Sequence, residues 1–270
     1  MNEVILRPKG SIDIMVEAEV INPDIFAGKT KGEIGQLIVW QGSKQLSLSE
    51  FFDVDGSARA AADMKIIIEG DVSRVKHIGH GMKAGEIVID GSAGMHVGSE
   101  MIGGSILVKG NAGSWAGMEM KGGTLHITGN TGDHVGCAYR GSWRGMNGGK
   151  IIIDGSAKSQ LGGGMSGGEI HVGGNVENFA GIRMNSGLIV VKGDAIRGAG
   201  AQMSGGTFVV CGKIRQFSPG FDYMGTEKNP KIGETVLSGE FGKFTGDFAI
   251  SKNPKGILFT SEEANEGVGK

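Results

Sequence analysis

The chain has 270 residues and a formal net charge of −2, so bulk electrostatics give no reason to expect a nucleic acid or an anionic membrane as partner. Glycine is the outlier at 52 residues, yet 5 prolines and no Gly-X-Y period exclude a collagen-like chain, and recurring Ile/Val runs argue against disorder. No stretch approaches ~18 apolar residues, MNEVILRPKG lacks an apolar leader core, and Cys137 and Cys211 form no CxxC pair, which predicts a cytoplasmic protein with two free thiols.

Taken in chain order, residues 1–51 differ in composition from the rest of the chain. VILRPK and SIDIMVEAEVI read as extended segments, NPDIFAGKTKGEIGQL as a short helix opened by Asn22-Pro23, and LIVWQG as a further strand. PDIFAGKT is not a P-loop, because Pro23 stands where GxxxxGK[ST] requires its first glycine. The segment is expected to cap the repeats that begin after it.

From residue 52 to 212 the chain compares with itself. A 13-residue block, [Gly/Trp]-x-x-Met-x-x-Gly-x-[Ile/Leu/Phe]-x-[Ile/Val]-x-Gly, occurs seven times: at 79–91, 98–110, 117–129, 143–155, 162–174, 181–193 and 200–212. KIIIEG, ending at Gly70, and FFDVDG, ending at Gly56, read as degenerate earlier copies. Spacers of six residues set a period of 19, broken only where GCAYRGS (136–142) adds seven. Seven of the 13 methionines share one block position: Met82, Met101, Met120, Met146, Met165, Met184 and Met203. Apolar residues two apart, as in Ile87/Ile89 or Ile170/Val172, mark one half-buried strand per unit. A unit this short cannot bury its own apolar face, so the units must stack, ~4.8 Å apart. The predicted fold is all-β: a right-handed parallel β-helix, a single solenoid of about eight coils, with caps at 1–51 and 213–270. In the second cap phenylalanines alternate with polar residues, and the terminal EEANEGVGK is expected to be mobile.

Glycine loops such as GGGMSGGEIHVGG (162–174) could cradle a phosphate, but seven equivalent copies make them corners instead. Two positions before each block, with the insertion set aside, lie His77, His96, Trp115, His134, Gln160 and Phe179, which would form one column. His77 and His96, with His80 nearby, could share a metal, but the column holds no carboxylate or cysteine, so a stacked ladder is the favoured reading. As an interaction surface the column is more interesting, since aromatics enrich interfaces. His126 and His171 occupy the middle strand position with Ile67, Val88, Leu107 and Ile152, an outer row apolar enough to be covered. GCAYRGSWRG (136–145) gathers Tyr139, Arg140, Trp143 and Arg144, residue types of binding hot spots. No catalytic constellation is legible: Glu69, Asp90 and Asp154 are not neighbours in the repeat.

The Gly-x-x-Met-x-x-Gly-x-Ile-x-Val-x-Gly array, with PDIFAGK and FFDVDG before it, resembles the C subunit of formylmethanofuran dehydrogenase from methanogenic archaea over essentially the whole chain. The repeats alone are more loosely similar to the C-terminal glycine-rich domain of the glutamate synthase large subunit. The resemblance implies a non-catalytic scaffold in a cytoplasmic complex that reduces CO₂ and attaches it to methanofuran, with electrons from ferredoxin. It places tungsten- or molybdenum-pterin, iron–sulfur clusters and a binuclear metal site in other subunits. Those are an amidohydrolase-like A, pterin-binding B and D, and ferredoxin-type subunits; no catalytic, cofactor or metal residue is carried over to this chain. The alternative is a stand-alone β-helical enzyme of acyltransferase or polysaccharide lyase type.

Overall fold

The computed structural model describes residues 2–233 and 235–269. One 13-stranded sheet organises them. From one edge its order is Phe221–Lys228, Glu240–Gly246, Gly256–Ser261, Thr207–Val210, Ser186–Val191, Ser166–Val172, Asn147–Ile153, Thr124–Ile127, Ser105–Val108, Glu86–Ile89, Met64–Ile68, Asn2–Pro8 and Phe52–Gly56. From Asn2–Pro8 through Gly256–Ser261 every neighbouring pair is parallel. The register follows the repeat: Ile87 faces Ile106, and Leu125 faces Ile151 across the insertion, so the seven extra residues leave the ladder undisturbed.

A second ladder runs through the spacers. Val72, Ala93, Ala112, Thr131, Ala157 and Val176 are linked by parallel bridges, continued by the strands Val176–Asn178, Ala195–Arg197 and Ile214–Gln216. Beside it the turn formers cap one another. Asn111 Oδ1 accepts the Asn130 N–H at 2.8 Å, Asn130 Oδ1 that of Ser156 at 2.8 Å, and Ser156 Oγ that of Asn175 at 3.0 Å. Asn175 and Asp194 carry the same bond on to Asp194 and Lys213. Side chains placed in the sequence as turn formers thus join each unit to the next.

The core lies between these ladders. All seven repeat methionines are fully buried, and so are Ile87, Leu125, Ile151, Ile170, Ile189 and Phe208 on the strands. Methionine and glycine fit each other here. Gly187 has φ +93°, and a Cβ on it would lie 2.7 Å from Met165 Cε and 2.8 Å from the Gly168 carbonyl oxygen. The methionine methyl of one unit fills the space that the glycine of the next leaves free, which explains why the two residue types recur together.

The ends depart from the sequence expectation in three places. Phe52–Gly56, read as an early repeat, runs antiparallel to Asn2–Pro8 and forms the sheet edge, while Asn2–Pro8 takes the parallel place beside Met64–Ile68. The expected single helix is two, Pro23–Phe26 and Lys31–Gly35. Gly28 at φ +74° ends the first, and Thr30 opens the second through a capping box with Glu33. The tail expected to be mobile is tied down within its described residues, 262–269: Asn265 is buried, its Oδ1 accepts the Ile214 N–H at 2.8 Å, and its Nδ2 donates to the Gly212 carbonyl at 2.9 Å, while Lys270 lies outside the described residues. A single buried amide among turn residues leaves no periodic mark in a sequence.

Candidate functional site

Three surfaces gather the residues that the sequence singles out. In the first, the column holds as a column. His77, His96, Trp115, His134, Gln160 and Phe179 all adopt left-handed backbone, with φ between 60° and 67°, and Gly198 continues it at φ 66°. The pattern arises because each residue sits at the same corner, where its N–H donates to the following unit: His77 to Met95, His96 to Ser114, Trp115 to Asp133. Non-glycine residues there cost roughly 1–3 kcal/mol each in backbone strain. Their rings stack: His77 on His96 at 4.6 Å between centroids, His96 on Trp115 at 6.0 Å, and Trp115 on His134 at 4.2 Å. Tyr139 of the insertion meets the edge of Trp115 at 5.9 Å.

The electrostatics of the stack follow from burial. Nδ1 of His77, His96 and His134 is buried without a hydrogen-bond partner. Desolvation lowers the pKa of all three, His96 to about 4 with the His77 charge as a second cause. The rings are therefore neutral at neutral pH. A buried lone pair is cheaper than a buried unpaired N–H, so the proton belongs on Nε2. The stack is thus an uncharged column of rings.

The second surface is the outer strand row. Its register is Ile67, Val88, Leu107, His126, Ile152, His171, Val190 and Val209, ending against Phe259. Beyond His171 the chain itself covers the continuation of this row: Val190 and Val209 pack with Leu237, Phe241 and Phe259. Ile67, Leu107 and Ile152 stay partly exposed. Nε2 of His126 lies 3.0 Å from Asp154 Oδ2, and Nε2 of His171 lies 3.0 Å from Glu169 Oε2. The Glu169 carboxyl, bonded first by His171 and then by Lys150, is held below the usual carboxylate range.

The third is the insertion. Tyr139 is 51% and Trp143 80% exposed, and Arg140 and Arg144 are exposed with them. Its base is tied down where the Tyr139 N–H donates to Glu119 Oε1 at 3.0 Å. Arg183 lies over the Trp143 ring at 5.9 Å, and Arg197 over Phe179 at 5.2 Å. Sequence reasoning missed both arginines. The available signal was that Arg183 breaks a block position held by Gly81, Glu100, Glu119 and Gly164 in other copies. Cys137, at the base of the insertion, is buried, and burial pushes its thiol up to about 11. Among the described residues no group of three or more His, Cys, Asp or Glu side chains converges as metal ligands would.

No family model matches the chain. Full-length relatives do. The C subunit of molybdenum-containing formylmethanofuran dehydrogenase 1 from Methanosarcina barkeri is 68% identical over 266 residues, covering 98% of this chain and 88% of the relative. The C subunit of tungsten-containing formylmethanofuran dehydrogenase 2 from Methanothermobacter thermautotrophicus is 61% identical, covering 98% of both. Among solved structures, a chain of the formyltransferase/hydrolase complex FhcABCD from Methylorubrum extorquens, crystallised with methylofuran, superposes with a TM-score of 0.82 at 29% identity, covering 95% of this chain and 99% of that one. At these identities and coverages the chain belongs to the family of formylmethanofuran dehydrogenase C subunits.

Proposed function

We propose that the chain is a non-catalytic scaffold of a cytoplasmic formylmethanofuran dehydrogenase, built as a right-handed parallel β-helix capped at 1–51 and 213–270. The β-helix reading is supported by the 19-residue parallel register in two ladders, joined by crossovers whose usual hand is right. The observation that carries the function is likeness to the C subunits along nearly the whole chain. The complex reduces CO₂ and attaches it to methanofuran with electrons from ferredoxin. The amidohydrolase-like A, pterin-binding B and D and ferredoxin-type subunits hold its pterin metal, binuclear metal and iron–sulfur clusters.

Among the described residues no side-chain cluster fits those metal groups. Burial keeps the Cys137 and Cys211 thiols protonated, and the stacked histidines turn Nδ1 inward. The chain's role is to present surfaces: the ring column from His77 to Phe179, the outer row at His126 and His171, and the insertion at Tyr139, Arg140, Trp143 and Arg144. Among the described residues no helix is long and apolar enough to cross a membrane.

The test is to purify the chain alone and within its complex, then assay both for tungsten or molybdenum, pterin and formylmethanofuran turnover. The expected result is all three in the complex and none in the isolated chain. Turnover by the isolated chain, as the stand-alone acyltransferase or lyase reading requires, would overturn the scaffold.

A further inference from the structure

The insertion and the units beside it enclose an open groove of about 400 Å³, lined by Trp115, His134, Tyr139, Arg140, Trp143 and Arg183 among others. Among the described residues no aspartate or glutamate lines it. Two arginines on other parts of the surface have carboxylates within reach: Arg7 lies 2.6 Å from Glu69, and Arg215 3.9 Å from Asp194. Among the described residues Arg140 and Arg183 have none within 4.0 Å. Arg183 spends its Nε on Gln202 at 3.0 Å and lies over the Trp143 ring, so its terminal nitrogens remain for a ligand. Of the acids near the groove, Glu119 is engaged by the Tyr139 backbone and Asp133 by the Ser159 backbone.

We propose that this groove takes a carboxylate-bearing segment of a partner protein in the complex, with Arg140 and Arg183 clasping the acid and Trp143 and Tyr139 closing over the chain that carries it. The inference rests on the scaffold reading and names the partner chemistry of one of its surfaces. A guanidinium fork matches a carboxylate in two parallel bonds. A free anion would satisfy the charge but leave Trp143, 80% exposed, uncovered; a polypeptide segment supplies both carboxylate and apolar contact. Nucleic acid fits less well, because two arginines make too short a basic track for a phosphate backbone and the chain is net negative.

The experiment uses the assembled complex. Arg140→Lys and Arg183→Lys keep the charge and introduce amines that a carbodiimide couples to adjacent carboxylates; mass spectrometry then locates the cross-links. Coupling to an aspartate or glutamate of another subunit is the expected result. Coupling within this chain only, or none, overturns the proposal. Should the variants fail to assemble, the unmodified complex decides. Phenylglyoxal should modify Arg140 and Arg183 at least about tenfold more slowly in the complex than in the free chain. Equal rates, or protection that depends on added nucleic acid, would overturn it. A chain that enters no complex sinks both readings, whereas one that assembles with both arginines open sinks this one alone.

Discussion

Two columns of the same repeat behave in opposite ways. The methionine column holds one residue type in seven units, and every copy is fully buried. The ring column holds one backbone conformation, φ 60–67°, yet its residues change from His to Trp, Gln and Phe. Inside, identity follows packing, as where Met165 fills the space that Gly187 leaves. At the corner, geometry is fixed by the coil-to-coil hydrogen bonds while identity varies. Repetition here reports packing, and variation on a constant, strained backbone is what the proposed partner surface builds on.

Breaking the inner column should cost most. Met165→Ala leaves a cavity beside Gly187 and is expected to destabilise by about 2–5 kcal/mol, read as a lower denaturant midpoint. Gly187→Ala attacks the same contact from the other side, adding a left-handed strain of roughly 1–2 kcal/mol to the clash. The two losses should be strongly non-additive in a double-mutant cycle, since they share one contact. Additive losses would contradict the methionine–glycine fit.

Acid should act on the outer column. His77, His96 and His134 have folded pKa values below their ordinary 6.5, because burial favours the neutral ring. Above pH 6.5 they are neutral in both states and stability is full. As pH falls below 6.5 the unfolded chain binds protons first, so stability declines until the folded rings titrate, near pH 4 for His96. Glu17 and Glu169, held below 4.5, add their losses only at lower pH. Unfolding midpoints between pH 7 and 5 should therefore fall, and His96→Phe should flatten the decline. An unchanged slope in His96→Phe would remove this residue from the account.

The smallest effect is expected at Gln160, which has the column's strained backbone, φ 62°, but no ring to stack. Gln160→Gly should be neutral to stabilising, within about 1 kcal/mol, as strain relief is set against added unfolded-state entropy. A loss above about 2 kcal/mol would mean that the Gln160 side chain contributes packing the ring column does not otherwise show.

The legible part of the molecule was its periodic part. The period of 19, the methionine core and the strand pairs were read from spacing, because each unit must satisfy the same packing and hydrogen bonds. The ring column was placed correctly, but its left-handed backbone was not foreseen, because Trp115 and Phe179 occupy a corner where glycine would have been the signal. The ends were least legible. Phe52–Gly56 alternates as a coil strand does, yet runs antiparallel, and pairing direction is not written in alternation. Arg183 and Arg197 were missed because a cation over a ring depends on the meeting of separate units.

The central claim is that inner columns make the fold and the outer ring column binds the partner. It is tested most directly by a matched pair, Met165→Ala and Trp115→Ala, each measured for isolated-chain stability and for affinity to the remaining subunits. The account predicts that Trp115→Ala costs less than about 2 kcal/mol of stability but weakens assembly at least about thirtyfold. Met165→Ala should do the reverse, unfolding more easily yet assembling normally whenever folded. Unchanged assembly with Trp115→Ala in a folded chain would contradict it.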